Sequence, residues 1–184
     1  WQIAYHESGH AIVTYLLVPT QDVFKITITP RGHTGGVTWV PEREEILIRD
    51  KNKLLGNIKT CLGSFAAEKL KLNTTTAGVD MDFQEAMYIA HNMVCRWGMG
   101  KSGIIGNFYG IEGNWSIISS EMKTRLENDV QDILQGCLKE VEALLTKETP
   151  LLERLAKELI AKDELNYDEI EAIFKEFGKT RPSS

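Results

Sequence analysis

The chain has 184 residues, of which 42% are hydrophobic and 26% charged, and its formal net charge is −5. That size and balance suit one well-filled globular domain and exclude a disordered chain. The acidic excess carries no basic stripe of the kind a nucleic-acid surface needs, and the longest apolar run, residues 11–18 broken by Thr14, is too short to span a bilayer.

In chain order, residues 1–17 read as a helix with Ile3, His6, His10, Val13 and Leu17 on neighbouring rungs, ended by Pro19. Residues 23–29 alternate as a strand does, residues 30–36 form a glycine-rich turn, and residues 37–40 offer a second short strand closed by Pro41. From about 49 to 72, Leu54, Leu55, Ile58, Leu62, Phe65, Ala66 and Leu70 recur at helical spacing, and residues 74–78 read as a loop. A helix over 82–97 stops at Gly98, and a glycine- and aromatic-rich connector follows at 99–118. Residues 119–147 then form one long amphipathic helix. Thr149 and Pro150 open another helix through 161, and Asn166 with Glu169 reads as a capping box for a last helix ending at Gly178, before a tail at 179–184. The fold class is therefore mainly α, with a small β-sheet or hairpin near the N-terminus and a C-terminal helical bundle. Cys61, Cys95 and Cys137 are odd in number and form no CxxC pair, which argues against a disulfide framework or a cysteine-built zinc site and suits a reducing compartment. No signal peptide opens the chain, and a first residue of Trp1 rather than Met points to a piece of a longer protein.

The chemistry concentrates in His6-Glu7-Ser8-Gly9-His10, an HExxH pattern on the first helix. Helical residues four apart project about 40° from one another, so both imidazoles can bind one metal. Glu7 lies about 100° round from His6, in reach of a water on that metal without being a ligand itself. Zinc accepts nitrogen and oxygen ligands and leaves a position open for water, but it needs a third protein ligand. A third histidine six residues after His10 is excluded, because Leu16 stands there, with Val13 in place of the accompanying glycine. Glu68, Asp80, Asp82, His33 and His91 remain. His91 reads as a packing or helix-surface residue and His33 as solvated in its turn, and spacing does not choose among Glu68, Asp80 and Asp82.

Ala4-Tyr5-His6-Glu7-Ser8-Gly9-His10-Ala11, then Ile26 to Gly32, Gly36-Val37-Thr38 and Pro41-Glu42, resemble the peptidase domain of the FtsH family of membrane-anchored, ATP-dependent AAA+ zinc proteases. The likeness continues in order through Leu62-Gly63, Ala67-Glu68, Thr76, Gly78, Asp82, Ala86, Ala90, Asn92-Met93-Val94 and Trp97-Gly98-Met99, and into the helical C-terminal half. Ser8, Ser64, Phe65, Val79 and Met81 depart from residues common in that family. The resemblance implies a zincin-like helix, one Zn2+ held by His6, His10 and Asp82, and Glu7 as general base. It places Glu68 as a carboxylate that backs a zinc histidine, against a plainer role as a helix charge. The expected organisation is a single metallopeptidase domain over 1–184: 1–98 with the motif and third ligand, the connector at 99–118, the helical part at 119–178 and the tail. The parent would be a membrane-anchored homo- or hetero-hexamer with this domain in the cytoplasm, matrix or stroma. It would act on polypeptide substrates and bind no nucleic acid. No GxxxxGK[ST] run is present, so ATP would act only through a module outside this chain. A catalytically silent scaffold for hexamer assembly and a peptidase without an ATPase are the alternatives. Gly36, Val37, Thr38, Trp39 and Val40 are expected to form an edge strand beside the metal that holds extended substrate, against an inner strand that only packs Val37 or Trp39.

Overall fold

The computed structural model describes residues 1–29, 36–42, 50–108 and 118–180. Most of the glycine-rich turn, with His33, lies outside the described residues, as do part of the connector and the last residues of the tail. The elements run α1 (Gln2–Leu17), β1 (Lys25–Thr27), β2 (Val37–Trp39), α2 (Lys51–Leu72), a 3-10 turn (Ala77–Val79), α3 (Asp80–Cys95), α4 (Ser120–Lys147), α5 (Thr149–Lys162), β3 (Glu164–Asn166) and α6 (Tyr167–Glu176).

Local chemistry sets the helix ends. The Asp50 side chain accepts the Lys53 amide at 2.8 Å and starts α2, which stops where Asn73 turns left-handed at φ 52°. Ser119 caps α4 through the Met122 amide, and Pro150 lies in the first turn of α5. Asn166 and Glu169 complete the capping box of α6, with bonds of 3.1 and 3.0 Å. Two differences from the sequence reading stand out. The supposed loop at 74–78 runs into a 3-10 turn capped by Thr76, so α3 begins at Asp80 rather than Asp82. The sheet also has a third strand, β3, from the C-terminal part.

The strand order is β2–β1–β3, all antiparallel, with Ile26 opposite both Thr38 and Leu165. Two apolar cores fill the molecule. One gathers α1, β1, β3, α5 and α6 around residues such as Ile12, Ile26, Leu152, Leu159 and Phe174. The other gathers α2, α3 and α4 around Leu54, Ile58, Met93, Leu126 and Val130. The C-terminal helices thus pack on N-terminal elements in both cores. More than half of α1 is interior: Ala4, Glu7 to Gly9 and Ala11 to Tyr15 are buried, as befits a helix packed by α2, α5 and the sheet. Among the described residues, no helix is long and apolar enough to cross a membrane.

Where α1 crosses α2, backbone meets backbone. A Cβ on Gly9 would sit 2.3 Å from the Gly63 carbonyl oxygen, and one on Gly63 would sit 2.7 Å from that of Gly9. Only glycine at both positions permits this approach. It brings the motif face of α1 within hydrogen-bonding reach of α2.

Candidate metal centre

His6 and His10 stand one turn apart on α1, their ring centroids 5.0 Å apart and their planes at 79°. Each ring is fixed from behind by α2. Nδ1 of His6 lies 2.8 Å from Oε1 of Glu68, and Nδ1 of His10 lies 2.8 Å from the Thr60 carbonyl oxygen. A carbonyl and a carboxylate only accept, so both Nδ1 atoms carry hydrogen and each ring turns its Nε2 toward Asp82. Glu68 is itself held: the Thr76 amide donates to Oε2 at 2.7 Å and the Thr76 hydroxyl to Oε1 at 3.0 Å, in a pocket that leaves Glu68 1% exposed.

Asp82 in the first turn of α3 closes the group. Its Oδ2 lies 3.4 Å from Nε2 of His6 and 3.3 Å from Nε2 of His10, and the Ser64 hydroxyl donates to the same oxygen at 2.5 Å. Tetrahedral ligands with metal bonds of about 2.0–2.1 Å stand roughly 3.3–3.4 Å apart, so the spacing and the N, N, O donor set fit zinc. An oxygen cage of the kind calcium or magnesium prefers is absent from this set. Among the described residues, His6, His10 and Asp82 are the group able to hold a metal ion. Burial alone would lower the His10 pKa, but the hydrogen bond and charge of Asp82, the charge of Glu7 and the Thr60 carbonyl outweigh it and raise it to about 9. Burial would raise Asp82, yet His10, Ser64 and His6 hold it below the ordinary carboxylate range. The two shifts express one mutual attraction, which favours the imidazolium of His10 and the carboxylate of Asp82 together.

A cavity of about 580 Å³ opens over these atoms, lined on its apolar side by Ile3, Val37, Val40, Cys61 and Met81. Glu7 lines it too, with its side chain largely buried and Oε2 2.7 Å from the Thr38 hydroxyl. Gly36 passes so near that a Cβ there would sit 2.7 Å from Oε1 of Glu7. Among the described residues β2 lies at one end of the strand order: Thr38 faces inward to Glu7, and Val37 and Trp39 face outward, Trp39 against Phe24. Asp80 shares the first turn of α3 and is bonded by Gln84, and His91 lies farther along the helix with its Nδ1 4.0 Å from Sγ of Cys95. Thr38, Thr60, Ser64 and Thr76 had not been singled out as contacts of these groups. A signal existed for part of the set, because Thr60, Ser64 and Glu68 recur every four residues on α2 beside the small residues Gly63 and Ala67.

The same ordered segments match known proteins. A family model of peptidase family M41 covers residues 1–173. The chain belongs to that family. Among M41 relatives, an ATP-dependent zinc metalloprotease FtsH of Borreliella burgdorferi (strain ZS7) is 35% identical over 183 residues, 94% of this chain and 28% of the relative. An ATP-dependent zinc metalloprotease FtsH 1 of Thermoanaerobacter sp. (strain X514) is 33% identical over 184 residues, 94% of this chain and 30% of the relative. One from Thermus thermophilus is 31% identical over 178 residues, 92% of this chain and 28% of the relative. This M41 chain thus spans under a third of the length of these curated relatives.

Proposed function

We propose that this M41 chain is the proteolytic domain, over 1–184, of an ATP-dependent zinc metalloendopeptidase that hydrolyses peptide bonds of unfolded or membrane proteins in quality control. The observation that carries the reading is the convergence of His6 Nε2, His10 Nε2 and Asp82 Oδ2, at separations that suit a tetrahedral ion, under a cavity that also admits Glu7. His6, His10 and Asp82 would hold one zinc per chain. When bound, that zinc supplies the electrophile that polarises the scissile carbonyl and acidifies water. Glu68 and the Thr60 carbonyl keep the two imidazoles in the tautomer and orientation that ligation needs. Glu7 takes the proton of the attacking water and returns it to the leaving amine. Residues 36–40 hold an extended substrate by backbone hydrogen bonds, which suits a protease of many unrelated chains. The whole protein would be a membrane-anchored hexamer, with its ATPase module elsewhere and this domain in the cytoplasm, matrix or stroma. A silent scaffold has no use for a buried carboxylate set beside three metal-ligating groups.

Metal analysis of Asp82→Ala and Glu68→Ala tests the ligand set. Asp82→Ala should lose zinc, whereas Glu68→Ala should weaken it by about ten- to a hundredfold. Full zinc in Asp82→Ala with none in Glu68→Ala would make Glu68 the ligand. Glu7→Gln should keep zinc and lose about a hundredfold or more of casein cleavage in the assembled protease. Near wild-type cleavage would remove Glu7 from its role.

A further inference from the structure

Glu7 is 4% exposed, and among the described residues no lysine or arginine pairs with it. A buried carboxylate needs a donor. The donor comes from the sheet edge: the Thr38 hydroxyl lies 2.7 Å from Oε2 of Glu7 and 3.1 Å from its main-chain oxygen. That main-chain oxygen already accepts in the α1 ladder, and the shorter contact is the charge-assisted one, so the hydroxyl hydrogen belongs to the carboxylate. Oε1 lies on the side of Gly36, where a Cβ would sit 2.7 Å away.

We propose that Thr38 is the positioning residue of the Glu7 base. The last torsion of a glutamate is soft, and an unheld carboxylate samples a broad range of rotations. The Thr38 hydroxyl selects one rotation, engages Oε2 and leaves Oε1 as the freer oxygen to take the proton. Thr38 sits between two outward residues of β2, so the three-residue strand that offers its edge to substrate also aims the base. Base and substrate backbone then share one reference frame. This inference rests on the peptidase reading above.

The test compares Thr38→Val, which keeps the β-branched shape and lacks the hydroxyl, with Thr38→Ser, which keeps the hydroxyl. Cleavage of fluorescein-labelled casein is followed in the zinc-loaded full-length protease with ATP, and binding of a zinc-chelating peptide hydroxamate is followed by calorimetry. Thr38→Val should keep its zinc and KM while kcat falls by about ten- to a hundredfold, the worth of a charge-assisted hydrogen bond. Hydroxamate binding, which also uses the base carboxylate, should weaken about tenfold, and Thr38→Ser should restore both. If Thr38→Val fails to accumulate as folded protein, Thr38→Ala, which cannot overfill the site, must show the same split. Unchanged kcat in the hydroxyl-free variants overturns the proposal. So does a loss of zinc or a rise in KM that accounts for the whole effect, since a merely structural role would produce it. A wild-type protein that neither binds zinc nor cleaves casein overturns the peptidase reading itself, and the proposal with it.

Discussion

Gly63→Ala puts one methyl group into the tightest helix crossing of the molecule. The new Cβ would sit 2.7 Å from the Gly9 oxygen and 3.1 Å from a Val13 methyl carbon, against ordinary contact from 3.4 Å. The nearer neighbour is backbone, so α1 and α2 must part by about 0.7 Å at this point. The bonds from His6 to Glu68 and from His10 to Thr60 cross the same interface at 2.8 Å, and such a parting stretches them to about 3.5 Å, the limit of a useful hydrogen bond. Overfilling a packed site costs about 1–3 kcal/mol, while alanine favours a helix over glycine by about 1 kcal/mol. Stability should therefore fall by at most about 2 kcal/mol. Zinc affinity should fall further in proportion, by about ten- to a hundredfold, because both histidines lose the groups that orient them. Competition with a chromophoric chelator measures the affinity, and urea unfolding of the zinc-free chain measures the stability. Wild-type zinc affinity together with a stability gain of about 1 kcal/mol, the propensity effect alone, would refute the argument that this crossing holds the histidines in place.

The Ser8 hydroxyl is fully buried and has no hydrogen-bond partner among the described residues, so Ser8→Ala should stabilise the chain by about 1 kcal/mol, read as a higher urea midpoint, without changing zinc content. Asn166→Ala removes half of the α6 capping box and should cost about 1 kcal/mol in urea unfolding while zinc affinity stays put. Lys53 is buried and bonded to Thr20 and Glu42, each at 2.6 Å, whereas Glu42 is 38% exposed. Glu42→Gln strands a buried cation and should cost about 1–3 kcal/mol, more than Lys53→Met, which leaves only a solvated carboxylate behind. Equal melting temperatures for the two variants would contradict that asymmetry.

The helix of the HExxH motif was legible because its chemistry is local: four-residue spacing on a helix is enough to place His6 and His10 together. The ordered family segments pointed to Asp82, and spacing alone left Glu68 and Asp80 beside it. The fine structure was not legible. β3 is three residues long with one buried side chain, Leu165, and its pairing partner lies near the other end of the chain, so no local pattern announces it. The early start of α3 follows from Thr76 capping a turn that reads as a plain threonine loop. Thr38 and Ser64 act through their hydroxyls and Thr60 through a main-chain carbonyl that accepts from His10, and serine and threonine are too common for composition to single them out. Ser64 shows the limit well. In sequence it is only a departure from the family pattern, and in the fold its hydroxyl meets the Asp82 carboxylate.

The first helix of the chain packs mainly on α2, and on α5 from the C-terminal part. Tyr15 stacks on Phe174 at 3.7 Å and its hydroxyl reaches Glu171, so α5, β3 and α6 complete the apolar floor under one side of α1. Synthesis runs from one end, and at roughly 5–20 residues per second the motif helix waits on the order of ten to thirty seconds for that floor to emerge. His6, Glu7, His10 and Asp82 all emerge before α5, β3 and α6, so the core under that side of α1 is completed after the groups that line the cleft. Order of synthesis thus sets an order of assembly: the groups of the site are made before part of the scaffold on which their helix lies.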